Sequence, residues 1–455
     1  MDYKDMYNNT ENAQKDMQTM TSRLLHGNSL AQNPPPRQVS DAMVKLNGIF
    51  AGRESSFSLN EDALSKHTLL IGGTGCGKTT LFYHFVSQIK RQMTEDDVMI
   101  IFDTKGDFYN KFFDSSRDLV IGNSKQYSSE SQRWNIYNEI LADGWEERNF
   151  IVNAQEISKS FFEERMKNKE NTFIPNAARD LLGAILISFI REAKRDPMLR
   201  NAHCFNNRLK DNLDSATIYF INTLLSGTPD AGAVMSYISG DSMHSQGVFA
   251  EMHSVMREIL VGIFAEKGEF SMRDFVRNRG NRTLFIEYDL SIGNMLTPVY
   301  RLLFDLALKE ALGRNKKQGN VFLICDEFKL LPHLKHIDDG VNYGRGLGVK
   351  VFAGLQSIEQ LYEIYGQSRG RNIIAGFSSI YAFKANDTAS RDYITGLFGK
   401  NILIEEYLRP DNKWMEYKRN GLTVEDWDMI NLRVGEAIVG LPFAKPFRFY
   451  FENYK

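Results

Sequence analysis

The sequence predicts an α/β fold: a mainly parallel sheet covered on both faces and interrupted by an all-α insertion. Three observations predict it. Short apolar runs read as buried strands at residues 68–71, 98–102, 119–121, 284–286, 321–325, 349–353 and 380–383. Most are followed by segments of helical period, the alternation of parallel strands joined by crossover helices. Between about residues 150 and 275 the strands stop, and Leu181, Leu182, Ile185, Leu186, Phe189 and Ile190 recur at helical spacing.

In chain order, residues 1–45 read as a polar tail and linker, largely disordered, with Asn33-Pro34-Pro35-Pro36 as a stiff spacer. Residues 46–150 and 276–455 carry the strands, and residues 151–275 the helices, a length typical of an independent module. The 455 residues are 42% hydrophobic and 25% charged, the composition of a soluble globular protein. A net charge of −2 argues against a general polyanion binder while leaving room for a local basic channel. Three cysteines exclude a disulfide framework and fit a reducing cytosol. The longest apolar stretch, Leu181 to Ile190, is half the ~20 residues that cross a bilayer. Met1 to Ser22 is polar and contains acids, unlike a signal or transit peptide. A membrane-spanning or secreted chain is thereby excluded as an expectation. The histidines and cysteines show no zinc spacing, and His67 reads as a packing residue.

Gly72-Gly73-Thr74-Gly75-Cys76-Gly77-Lys78-Thr79 fits G-x-x-x-x-G-K-[ST], after one strand and before a helix that opens at Thr80. Glycines let backbone N–H groups close around phosphate oxygens, and the helix N-terminus adds partial positive charge. Lys78 is expected to neutralise the β- and γ-phosphates of ATP, and Thr79 to hold Mg2+. Such a loop needs an acid at the end of a neighbouring strand. Val321–Cys325 followed by Asp326-Glu327 supplies it, Asp326 serving Mg2+ through water and Glu327 serving as general base. Two more strand ends face the same crevice. Gln356 is expected to contact the γ-phosphate or the attacking water. Asp103, in Asp103-Thr104-Lys105-Gly106-Asp107, reads either as a nucleotide contact or as a turn cap. Arg345, in the glycine-flanked Gly344-Arg345-Gly346, reads as an arginine finger acting in trans or as a solvated arginine.

These motifs resemble, in order and spacing, the type IV secretion coupling proteins, the conjugative ATPases within the FtsK/HerA group of motors. The likeness runs through Asp338-Asp339 and Leu355-Gln356-Ser357-Ile358-Glu359-Gln360-Leu361, with Tyr365-Gly366 and Trp134-Asn135-Ile136-Tyr137, over about residues 46–450. It implies a RecA-like P-loop domain carrying an all-α domain, assembled as a homo-hexameric ring. It implies ATP-driven delivery of relaxase-bound DNA to a type IV secretion channel, without sequence-specific reading. Lys78, Thr79, Asp326, Glu327, Gln356 and Arg345 take the family roles by motif match. Members usually begin with transmembrane helices, which this sequence lacks. The expected location is therefore the bacterial cytoplasm, at the inner membrane face through a missing anchor or a partner. Two other readings stand beside it: a secretion ATPase acting on proteins, and a relaxase adaptor with little turnover. Candidate DNA-facing clusters are Arg273, Arg277, Arg279 and Arg282; Arg314, Lys316 and Lys317; and Arg191, Lys194, Arg195 and Arg200. Each reads alternatively as a solvated face.

Overall fold

The computed structural model describes residues 21–32, 39–127, 129–167, 172–200, 208, 218–226, 231–238, 242–313, 318–408 and 413–454. Its centre is an 11-stranded sheet of order β3-β2-β14-β13-β10-β4-β9-β8-β5-β7-β6. The members are β2 (Ala42–Phe50), β3 (Arg53–Asn60), β4 (Thr68–Ile71), β5 (Val98–Asp103), β6 (Leu119–Ile121), β7 (Arg282–Glu287), β8 (Val321–Cys325), β9 (Val349–Leu355), β10 (Ser379–Ala382), β13 (Glu436–Gly440) and β14 (Phe447–Phe451). From β10 to β6 every pairing is parallel, and from β10 to β3 every pairing is antiparallel. The parallel strands are the apolar runs, because helices on both faces leave no side for polar residues.

The antiparallel wing was not legible as strands. β2 and β3 form a two-residue hairpin whose turn residues, Ala51 and Gly52, both have positive φ (48° and 77°). That turn is normally flagged by Asn-Gly, and alanine hides it. A further correction falls in the expected tail. Thr21–Gly27 forms β1, which pairs antiparallel with β11 (Lys400–Leu408) in a three-stranded sheet completed by β12 (Trp414–Leu422). A short edge strand takes its conformation from its partner, which its own composition does not show. The triple proline lies outside the described residues.

Among the described residues between β6 and β7 there is no strand, only helices and turns. Their apolar faces join one face of the sheet in a single core: Phe102 packs on Tyr300, Tyr300 on Phe264, and Phe264 on Trp134. Among the described residues, the helical segment therefore shares its core with the sheet. Its central helix, Phe173–Arg195, runs 23 residues, long and apolar enough to cross a membrane by length and composition, where a span half that long was expected. Leu181, Leu182, Ile185, Leu186, Phe189 and Ile190 are all buried within the fold, which accounts for its apolar face.

The four arginines near residue 280 are a correction. Arg273 is 1% exposed and pairs with Glu156 (2.6 Å) and Glu310 (3.2 Å). Arg277 pairs with Asp143 and Glu310, Arg279 is buried against the Asp96 carbonyl, and Arg282 stacks on Phe275. Burial and pairing consume these charges, so the cluster is not a phosphate-facing patch. In the helical segment Arg191 pairs with Glu147, Lys194 donates to the Trp145 carbonyl and Arg200 stacks on Trp145, whereas Arg195 is exposed. Arg314, Lys316 and Lys317 lie outside the described residues.

Glu139 ties the Trp134-Asn135-Ile136-Tyr137 motif to the helix Met272–Asn278. Fully buried, it accepts from the Trp134 indole (2.8 Å), the Ser271 hydroxyl (3.1 Å) and the Met272 and Arg273 amides (2.8 and 3.0 Å). Removing that acceptor leaves the buried Trp134, Ser271, Met272 and Arg273 donors without a partner and takes one nearby carboxylate from the Arg273 guanidinium. Glu139→Ala is predicted to lower unfolding free energy by about 3–5 kcal/mol in denaturant titration.

Candidate nucleotide site

β4 is buried along its whole length, and the chain leaves it at the carboxyl edge of the sheet through Gly72 to Gly77. Gly75 and Gly77 have φ of +75° and +112°, conformations that side chains rarely adopt. A Cβ on Gly77 would stand 3.0 Å from Gly435, so both glycines permit that close approach. The turn opens the helix Lys78–Gln92, whose N-terminus has no side-chain cap. Its first-turn amides, those of Thr79 and Thr80 included, therefore face the loop as an anion cradle. Lys78 is buried, and its Nζ donates to the carbonyls of Gly72 (2.7 Å) and Gly73 (3.2 Å), lying over the loop.

Three further strand ends converge here. The Thr79 hydroxyl donates to the Asp326 carboxylate at 2.6 Å, joining the loop to the end of β8. Burial pushes the Asp326 carboxyl above its ordinary range, while the Thr79 hydrogen bond and the charges of Lys78 and Lys105 pull the other way. Beside it, Glu327 accepts from the Gln356 amide at 2.7 Å, so the ends of β8 and β9 are also linked. Ser357 follows Gln356 and donates to Asp387 (2.9 Å), anchoring the turn after β9.

Asp103, at the end of β5, is buried and accepts from the backbone amides of Tyr109 (2.8 Å) and Lys105 (3.4 Å). Burial pushes its carboxyl up to about 6 despite those amides. It caps the turn that follows, which is the second of the two roles read for it. Arg345 is not in this site. It sits before β9, on the turn Gly344–Leu347, whereas the loop follows β4 at the opposite edge. Seven strand residues separate the two edges, ~20 Å. Arg345 is 55% exposed and pairs with Asp62 at 2.7 Å. His67 packs as read: buried, it accepts from the Val351 amide, and burial with the charges of Lys350 and Arg345 holds it down to about 3.

Oxygen ligands suit Mg2+, which takes one or two protein groups and completes its shell with water and phosphate. The adjoining Thr79 hydroxyl and Asp326 carboxylate fit that pattern, and no cluster of three or more potential ligands occurs among the described residues. Unforeseen in the sequence is the loop before β13. The Gly435 amide donates to the Cys76 carbonyl (2.9 Å), and Arg433 stacks on Tyr450. No strand was read there, so nothing marked the loop as a neighbour of Cys76.

The family model for the type IV secretion-system coupling protein DNA-binding domain matches residues 54–408. The chain belongs to the type IV secretion coupling proteins. It is 21% identical over 374 residues to the coupling protein TraD of Escherichia coli (strain K12), covering 80% of this chain. The chain spans about half the length of that relative, 48%. Among solved structures, the conjugative coupling protein TrwBdeltaN70 in its unbound form matches with a TM-score of 0.70 at 20% identity, over 92% of this chain and 90% of that one. TrwB in complex with ADP and Mg2+ matches at 0.69 and 22%, over 94% and 97%. TrwB with the non-hydrolysable analogue ADPNP matches at 0.67 and 21%, over the same shares. The fold is thus the RecA-like P-loop fold of these structures.

The loop before β13 provides a pH test. Burial raises the Glu436 carboxyl, but hydrogen bonds and charge from Arg448 and Arg433 outweigh it and hold it down to about 2, against an ordinary 4.5. A depressed folded value stabilises above the unfolded value and loses that contribution as pH falls through the folded one. Glu436→Gln is predicted to lower the melting temperature at pH 7, with the deficit shrinking between pH 4.5 and 2.

Proposed function

We propose that this chain binds ATP with Mg2+, hydrolyses it, and couples turnover to the movement of DNA in conjugative transfer. The observation that carries the reading is the convergence of Lys78, Thr79, Asp326, Glu327 and Gln356 at the carboxyl ends of β4, β8 and β9. The loop from Gly72 to Thr80 holds the phosphates through backbone amides, and Lys78 moves from the loop carbonyls onto the β- and γ-phosphates. Thr79 and Asp326 would hold Mg2+, which would supply charge neutralisation on the phosphates. Glu327 takes the proton of the attacking water, and Gln356, now bonded to Glu327, reports the γ-phosphate to β9.

Arg345 completes the site from a neighbouring copy. Its distance from Lys78 within one chain and its exposed position support action in trans. The assembly is a homo-hexameric ring that passes relaxase-bound DNA to a type IV secretion channel, without sequence-specific contacts. It works at the cytoplasmic face of the bacterial inner membrane through an anchor or a partner. Support comes from family membership, from TrwB complexes with ADPNP and with ADP and Mg2+, and from the site's own residues.

Steady-state ATP hydrolysis, with and without single- and double-stranded DNA, tests this. Turnover is predicted to rise with DNA and with protein concentration and to weaken with salt. Glu327→Gln is predicted to lower kcat by about 100-fold or more while nucleotide still binds. Turnover indifferent to DNA would overturn the DNA motor in favour of protein cargo, and binding without turnover would favour an adaptor.

A further inference from the structure

The motif Asp103-Thr104-Lys105-Gly106-Asp107 contains one group for which the site described above has no use. Strand β5 runs beside β8 in parallel register, with Phe102 opposite Cys325. Asp103 therefore stands next to Asp326 at the neighbouring-strand spacing of ~4.8 Å, and the turn leaving β5 borders the Asp326-Glu327 pair. The Asp103 carboxylate fixes that turn through the Lys105 and Tyr109 amides. Gly106, at φ +72°, then swings the chain into the helix Asp107–Phe112; a Cβ there would lie 2.1 Å from the Tyr127 hydroxyl. Lys105 is left at the crest of a rigid turn. It is exposed, and among the described residues its ammonium forms no hydrogen bond or ion pair.

We propose that Lys105 is a further catalytic residue, reaching from the β5 turn to the terminal phosphate of a nucleotide held by Lys78 and Thr79. The proposal rests on the hydrolysis proposed above. Strand order fixes its side of the site: β4 carries Lys78, β9 and β8 lie between, and β5 carries Lys105. The acid pair at the end of β8 is thus flanked by two cations.

In the reaction a water oxygen bonds to the γ-phosphorus as the bond to the β,γ-bridging oxygen breaks. The water's proton passes to Glu327, and ADP leaves with the electron pair. Lys105 neutralises charge spread over the transferring oxygens, which ADP lacks. A group acting there affects the transition state more than the binding of product.

The test uses the full chain and three readouts: kcat at saturating ATP and Mg2+, affinity for ADP with Mg2+, and trapping of the ADP–aluminium fluoride complex. Lys105→Ala is expected to lower kcat about 100-fold, to leave ADP affinity within about twofold, and to weaken trapping. Lys105→Arg is expected to restore part of the loss. A kcat within about threefold of the parent with unchanged trapping would overturn the assignment, because a transition-state contact is worth far more. Equal losses in kcat and ADP affinity would also overturn it, marking Lys105 as structural. Lys78→Ala separates the two levels of the proposal. If it matches the parent, hydrolysis at this loop itself fails; if it abolishes turnover while Lys105→Ala stays within about threefold of the parent, only the Lys105 assignment fails.

Discussion

The contact between the Thr79 hydroxyl and the Asp326 carboxylate is the interaction on which the site depends. It joins a residue of the first helical turn to one 247 positions later. That closure is possible because β4, β9, β8 and β5 are parallel and in register, so all four end on one edge. Lys78, Thr79, Asp326, Glu327 and Gln356 all come from or directly follow such an end. The buried carboxylate is costly in isolation, and the hydroxyl and nearby lysines offset part of that cost.

Elsewhere the fold uses charge mainly to hold its parts together. Arg273, Arg277 and Lys309 meet Asp143, Glu156 and Glu310 where the helices Glu147–Phe161, Met272–Asn278 and Gly293–Leu312 come together. Buried ion pairs of this kind add little net stability, yet breaking one is expensive because the remaining partner stays buried and unpaired. They fix how these helices sit against one another. A DNA path is therefore to be sought among exposed cations such as Arg195, away from these paired arginines.

The parallel half of the sheet and its loop were legible in sequence for one reason. Strands buried on both faces are written as unbroken apolar runs, and a phosphate loop is written in glycines. The antiparallel wing alternates polar and apolar residues, and its Ala51-Gly52 turn lacks the usual signal. The fate of Arg273 was not legible because a sequence displays charge without its partners: Glu156 lies 117 positions from Arg273, and Glu310 lies 37. Asp103 was readable with two roles open, nucleotide contact or turn cap, and only the structure shows its acceptors spent on amides two and six residues ahead.

The same sheet geometry that gathers Lys78, Asp326, Glu327 and Gln356 puts Arg345 at the far edge, paired with Asp62. On the proposed reading a single chain holds parts of two sites, and a neighbouring copy supplies the arginine. Mixing Lys78→Ala subunits with Arg345→Ala subunits measures this directly, because one interface type in the mixture recovers an intact lysine and an intact arginine. The account predicts that each variant alone is inactive and that the mixture hydrolyses ATP. No activity at any mixing ratio, with mixed assembly verified, would contradict a site shared between copies.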